Sequence, residues 1–271
     1  VQQDLTVTGD LTITNLEFLR HISNSELLVH GNIISNDADH YYVSSAQTAD
    51  IRLVGTADQT ISGTGNLHDL AYDKPSGNLI LDPGFNSVFE RVSVISGTWA
   101  LGNDTLTALQ NINMSGGIFG GNGEVTGNII ATGGTLAPGN PNGCLTVNGN
   151  ITLNSSATYS ANINGAAACT QHSQLIVNGT VALGSAAISG SSSVAPGLPL
   201  VIIDNDGADA ISGIFDGANE GDTIQVGGAG YSVSYVGGDG NDVTLTSACP
   251  ASLITCLLYT SPSPRDEHSS R

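Results

Sequence analysis

Basic residues are almost missing from this chain. There are six in 271 residues, and only one of them, Lys74, is a lysine. Against 24 acidic residues they leave a net charge of −18. Phosphate backbones repel a chain of this charge, which excludes nucleic-acid binding as a role. Helix formers are scarce as well. There is one Met, charged residues make up only 11%, and no segment sustains an apolar period of 3.6. Aromatics are 5%, too few for the girdles of a transmembrane barrel. No apolar run approaches the roughly 20 residues that cross a bilayer. Membrane insertion is therefore not expected of this stretch. Low charge does not mean disorder here, because 39% of the residues are hydrophobic.

What the chain has is glycine, 35 of them, together with many Ser, Thr, Asn, Val and Ile. That mixture predicts an all-β protein of short strands and tight turns. A phrase also recurs. Val125-Thr-Gly-Asn-Ile129 returns as Val147-Asn-Gly-Asn-Ile151, 22 positions later (147 − 125). Val7-Thr-Gly-Asp-Leu11 and Val29-His-Gly-Asn-Ile33 are again 22 apart (29 − 7), and Val177-Asn-Gly-Thr-Val181 is a fifth copy. Between them runs a second phrase: Ser96-Gly-Thr-Trp99, Ser115-Gly-Gly-Ile118 and Thr132-Gly-Gly-Thr-Leu136. A period near 20 residues marks a solenoid, in which no unit can bury its apolar face alone. The expected fold is a parallel β-helix, right-handed by the usual handedness of parallel crossovers. Val7, Leu11 and Ile13 face inward and Thr8 and Thr12 outward, with the central Gly-Asn or Gly-Asp supplying a positive-φ corner. A string of antiparallel sandwiches is the competing arrangement.

The repeat is interrupted. Residues 16–45 carry charges, a Tyr pair and three of the six histidines, and Leu16, Leu19 and Ile22 fit a short helical turn or an expanded loop. Repeat-like phrasing resumes by Asp50. Ser189–Pro199, "SGSSSVAPGLP", reads as a linker or wide turn. Leu200–Asp204, Gly213–Phe215, Thr223–Val226, Tyr231–Val236 and Val243–Thr246 then read as strands of an antiparallel end-cap. The division expected is 1–189 for the β-helical region and 190–247 for the cap. Residues 248–255 begin a linker or further module. Cys256–Asp266, "CLLYTSPSPRD", resembles the translated end of a transposase-based sequencing adapter, a natural Pro-Ser linker being the alternative. Residues 256–271 are left out of the fold on that ground, and a truncated chain from a metagenomic assembly is expected.

Candidate chemistry is sparse. Cys144 and Cys169 are the expected disulfide, with two unpaired buried thiols as the alternative. Gly237-Gly-Asp-Gly-Asn-Asp242 fits the start of the calcium-binding nonapeptide. Its eighth position is Thr244 instead of a large apolar residue and only one copy is present, so a plain glycine hairpin is the reading preferred. Asp204-Asn205-Asp206 with Asp209 is a second oxygen-rich turn. Asp69, Asp73 and Lys74, with Glu90 and Arg91 nearby, could share one face and serve a polysaccharide lyase or hydrolase, or be solvated turn charges. His21, His30 and His40 lack zinc spacing. No catalytic residue, cofactor or metal is assigned.

The phrases "GGTLAPGN", "LTVNGN", "QLIVNG" and "YVGGDGNDVTLT", in that order within Gly121–Thr246, resemble the autotransporter-associated β-strand repeats of bacterial passenger domains and related surface proteins. The resemblance implies a secreted or surface-displayed β-helical stalk, with scaffolding and adhesion as its work and glycans or other cell-surface proteins as partners. A carbohydrate-active β-helix enzyme is the alternative.

Overall fold

The computed structural model describes residues 4–14, 26–36, 51–85, 87–139, 141–193, 197–206 and 209–247. Among these residues there are 25 strands and no helix, arranged in three sheets. The long sheet stacks ten strands in parallel, from Leu5–Val7 through Leu27–Val29, Ile51–Leu53, Asp69–Asp73 and Arg91–Ser96 to Leu200–Asn205. After most of them the chain crosses to a shorter sheet. That is first the sheet of Leu11–Ile13, Ile33–Ser35, Gln59–Ser62 and Leu79–Leu81. Later it is the sheet of Thr98–Ala100, Ile118–Gly121, Gly134–Pro138, Ala157–Ile163 and Ala187–Ser192. Both short sheets are wholly parallel. The chain therefore climbs one strand per circuit. The result is an all-β, β-helix-like stack of parallel strands, and not a series of antiparallel sandwiches.

The repeated phrase stacks upon itself. Val7 pairs with Val29, Val125 with Val147, and Val147 with Val177. Alternation sends the branched side chains inward, so Val29, Val125, Val147 and Val177 are fully buried while Thr8 and Thr12 are exposed. A second inward column runs Leu70, Val92, Ile112, Ile129, Ile151 and Val181. Burying each such side chain stabilises the fold by about 1.5–3 kcal/mol. Where the columns need more bulk, Tyr72 stacks on Trp99 and Phe119 meets Trp99 edge-on, each pair with ring centroids 5.5 Å apart.

The corner glycines work differently from the sequence expectation. Of Gly9, Gly31, Gly127, Gly149 and Gly179, only Gly127 has a positive φ, +131°. Close approach explains Gly31, Gly149 and Gly179, whereas Gly9, at the first rung, has nothing beside it. A Cβ on Gly31 would overlap the carbonyl oxygen of Gly9, and one on Gly149 that of Gly127. The following residue then ties the rungs together. Asn32 N donates to Asp10 Oδ1 (2.7 Å), Thr60 N to Asn32 Oδ1 (2.8 Å), Asn150 N to Asn128 Oδ1 (2.9 Å) and Thr180 N to Asn150 Oδ1 (2.9 Å). Positive φ belongs to the second phrase, at Gly97, Gly117 and Gly134.

The fifth copy lies 30 positions after the fourth, 8 more than the usual 22 (30 − 22). The extra length is a loop closed by Asn164 N donating to Gln171 O (2.6 Å) and by a disulfide between Cys144 and Cys169, whose Cα atoms are 4.7 Å apart.

At the far end the pairing turns antiparallel. Leu200–Asn205 pairs in parallel with Gln174–Val177 on one side and antiparallel with Asp242–Ser247 on the other. Ala229–Gly237 and Thr223–Val226 follow, also antiparallel. Gly213–Phe215 is not a strand. Phe215 is instead a buried plug between Tyr159 and Tyr235, with centroids 5.9 and 6.2 Å away. Strand Ala187–Ser192 runs on past the expected break at 189, because its backbone pairs with Ala157–Ile163. The Leu16, Leu19 and Ile22 turn and residues 248–271, with Cys249 and the adapter-like tail, lie outside the described residues.

Close stacking gives a differential test. No atom lies within 4 Å of a Cβ placed on Gly9, at the first rung, whereas Gly149 has a carbonyl in the way. Gly9→Ala is expected to change stability by less than about 0.5 kcal/mol, and Gly149→Ala to destabilise by about 1–3 kcal/mol. Urea melts of both variants check this. Equal effects would show that rung contact is not what selects glycine.

Candidate functional site

Stacking sets residues from neighbouring rungs side by side, so charges far apart in sequence meet on the outer face. Arg52 lies between two acids. Its Nη2 donates to Glu26 Oε1 (2.9 Å) and its Nη1 to Asp73 Oδ2 (3.0 Å). Ser96 Oγ donates to the other Asp73 oxygen (2.6 Å). This column spans four rungs of the long sheet. Beside it Arg91 is in register with Asp69 and reaches its Oδ2 through Nη2 (2.5 Å) and Nε (3.2 Å), with His68 Nδ1 3.4 Å from the other oxygen. Gln110 Nε2 donates to Glu90 Oε1 (2.5 Å).

Lys74 faces the other way. By alternation Asp69, Ala71 and Asp73 lie on one side of the strand, Asp69 and Ala71 buried there beneath neighbouring side chains, and Leu70, Tyr72 and Lys74 on the core side. Lys74 is fully buried, and its Nζ donates to Gly55 O (2.8 Å), Ala57 O (2.8 Å) and Gln59 Oε1 (2.6 Å). Gln59 in turn donates to the carbonyls of Val29 and Gly31. Burial lowers the ammonium pKa, with the Asp58 charge opposing it. The group of Asp69, Asp73, Lys74, Glu90 and Arg91 therefore does not converge on one point. Its carboxylates accept from neighbouring rungs, and its one ammonium gathers turn carbonyls. Such an arrangement links coils.

An open cleft of about 380 Å³ lies close by, lined among others by Asp82, Phe85, Ser87, Asn103, Asp104 and Thr107. Burial raises the Asp104 carboxyl above its ordinary value. Sequence inspection missed this pair. The signal was present, since Asp82 and Asp104 stand 22 positions apart, one repeat interval (104 − 82). Elsewhere the outer face carries amide ladders. Asn178 Nδ2 donates to Asn148 Oδ1 (2.7 Å), Asn148 Nδ2 to Glu124 Oε1 (2.5 Å), and Asn128 Nδ2 to Asn111 Oδ1 (3.2 Å).

The two oxygen-rich turns noted in the sequence meet in the cap. Asn205 N donates to Asp242 Oδ1 (2.9 Å), and Asn241 Nδ2 donates to Asp209 O (3.1 Å). His30 is exposed, and His21 and His40 lie outside the described residues. Among the described residues, no three His, Cys, Asp or Glu side chains gather as a metal cage. No helix there is long and apolar enough to cross a membrane. No protein family matches the chain, and comparison with curated proteins and with solved structures finds no similar protein.

Asp69 provides a pH test. Burial alone would raise its carboxyl. The neighbouring His68 imidazole and the Arg91 guanidinium, which donates to it, outweigh burial and hold it below the ordinary 3.8. A folded-state pKa depressed in this way stabilises the fold fully above the unfolded value, and the gain is lost as pH falls through the folded one. Asp69→Asn is expected to be less stable than the wild type near pH 7, with the gap narrowing below about pH 4. Urea melts across that range measure it, and a gap independent of pH would remove the ion pair from the account.

Proposed function

We propose that the chain is a right-handed parallel β-helix closed by an antiparallel cap, and that it serves as a non-enzymatic stalk or adhesive segment of a bacterial extracellular or cell-surface protein. The observation that carries this is the continuous parallel pairing of ten rungs, interrupted only by local register shifts near Ile95 and Ala108, with aliphatic columns inside and amide, hydroxyl and ion-pair ladders outside. At about 4.8 Å per rung ten rungs extend roughly 43 Å. A regular polar face of this kind suits repeated weak contacts with glycan hydroxyls or a neighbouring surface protein. The Cys144–Cys169 disulfide and the acidic composition fit an oxidising, extracellular setting. The resemblance of Gly121–Thr246 to autotransporter-associated repeats points the same way.

The carbohydrate-active alternative draws on one feature, the cleft holding Asp82 and Asp104. Its original candidates are less suited to the task, since Asp73 is bound to Arg52 and Ser96 and Lys74 is walled in.

Two measurements separate the alternatives. Glycan-array and whole-cell binding by the purified chain is expected to weaken in an Asn148→Ala/Asn178→Ala double variant that keeps its melting temperature. Acidic and neutral polysaccharides are expected to remain intact in its presence. Turnover that disappears in Asp104→Ala or Asp73→Ala would replace the stalk with an enzyme.

A further inference from the structure

The cap contains buried oxygens with nothing to accept from. Asn205 and Asn241 are 1% and 7% exposed, and their Oδ1 atoms, with Asp209 Oδ2, are buried and lack a hydrogen-bond partner. The amide orientations are fixed, because both Nδ2 groups donate to one acceptor, the backbone carbonyl of Asp209, at 2.6 Å from Asn205 and 3.1 Å from Asn241. Both amide groups are thereby held against the backbone of Asp209. Such acceptors need a donor or a cation, since burying each one unsatisfied costs about 1–3 kcal/mol. A water molecule has two hydrogens, one fewer than the three acceptors.

The charge balance points to a cation. Asp242 is 5% exposed and receives Asn205 N on one oxygen. Eight acids fall between Asp204 and Asp242, yet the sequence has no Lys or Arg from Arg91 to Arg265. Nothing basic in the described cap can neutralise them. Thiols and imidazoles are missing from the cluster, and a mixed set of amide and carboxylate oxygens suits a hard divalent ion of flexible coordination.

We propose that the cap binds one calcium ion through Asn205 Oδ1, Asp209 Oδ2 and Asn241 Oδ1, beside the carboxylate of Asp242. Two turns 37 positions apart (242 − 205) are then clamped across the last rung, where Asn205 takes the place in the column that Val177 holds one rung below. The ion fastens the end of the stack.

The test uses the full chain stripped with EDTA and titrated with calcium chloride. One equivalent of calcium is expected in calorimetry, with a rise in melting temperature. Asp209→Ala is expected to lose both responses, yet in EDTA to melt no lower than the wild type, because it removes a carboxylate whose buried Oδ2 has no partner. Asn241→Ser, which keeps a small polar group, replaces it if Asp209→Ala does not fold. No calcium heat from the wild type would overturn the site, leaving ordered water as the partner of these oxygens. Unchanged calcium binding in Asp209→Ala or Asn241→Ser would overturn it as well.

Discussion

Every other feature of this molecule follows from one spacing, the roughly 4.8 Å between hydrogen-bonded strands. A single coil has no strand partner of its own, so its backbone amides and carbonyls are satisfied only by the coils above and below. Once backbones are fixed at that distance, whatever stands at a given point of one coil lies against the same point of the next. Identical or complementary residues are then selected rung by rung. Val125, Val147 and Val177 form an interior column for this reason, while outside Asn178 donates to Asn148 one rung away and Asn148 to the diagonal Glu124.

The same spacing explains how a chain so poor in bases manages charge. Like carboxylates stacked at that distance would repel, so Arg52 is interleaved between Glu26 and Asp73, and Arg91 sits in register with Asp69. Where no base is available, asparagine does the work, because its amide both donates and accepts and can continue a ladder without net charge. Lys74 is the interior counterpart. A turn that points three acceptors inward needs a donor with three hydrogens, and an ammonium provides it.

Much of this was legible in the sequence because repetition is itself the signal. The interval of 22 between Val7 and Val29 is the register observed, and the antiparallel strands near Thr223–Val226 and Val243–Thr246 could be read from alternation and a glycine turn. What could not be read depended on depth or on contact between rungs. Gly-Asn at a corner looks the same whether glycine is needed for φ or for a carbonyl passing close by, and here the carbonyl is the usual reason. Lys74 looked solvent-exposed because a lone lysine in a Pro-Ser-Gly turn normally is. Gly213–Phe215 has strand-like residues, but Phe215 is taken by the space between Tyr159 and Tyr235. Asp82 and Asp104 were overlooked because they lie outside the repeated phrase, although they share its interval.

Repetition also determines where individuality can appear. In the middle of a stack each rung constrains its neighbours on both sides, and a side chain with its own task must disturb both. The end is constrained from one side only. Position 205, continuing the column of Val125, Val147 and Val177, is an asparagine whose neighbours are a reversing hairpin and a set of acids. Terminating a parallel sheet requires the last edge to find another partner, and the antiparallel hairpin gives Leu200–Asn205 that partner along its backbone. The side chains above the column have no next rung to meet. Freed from the column, the Asn205 side chain is buried instead against the Asp209 carbonyl, which Asn241 of the returning hairpin also reaches.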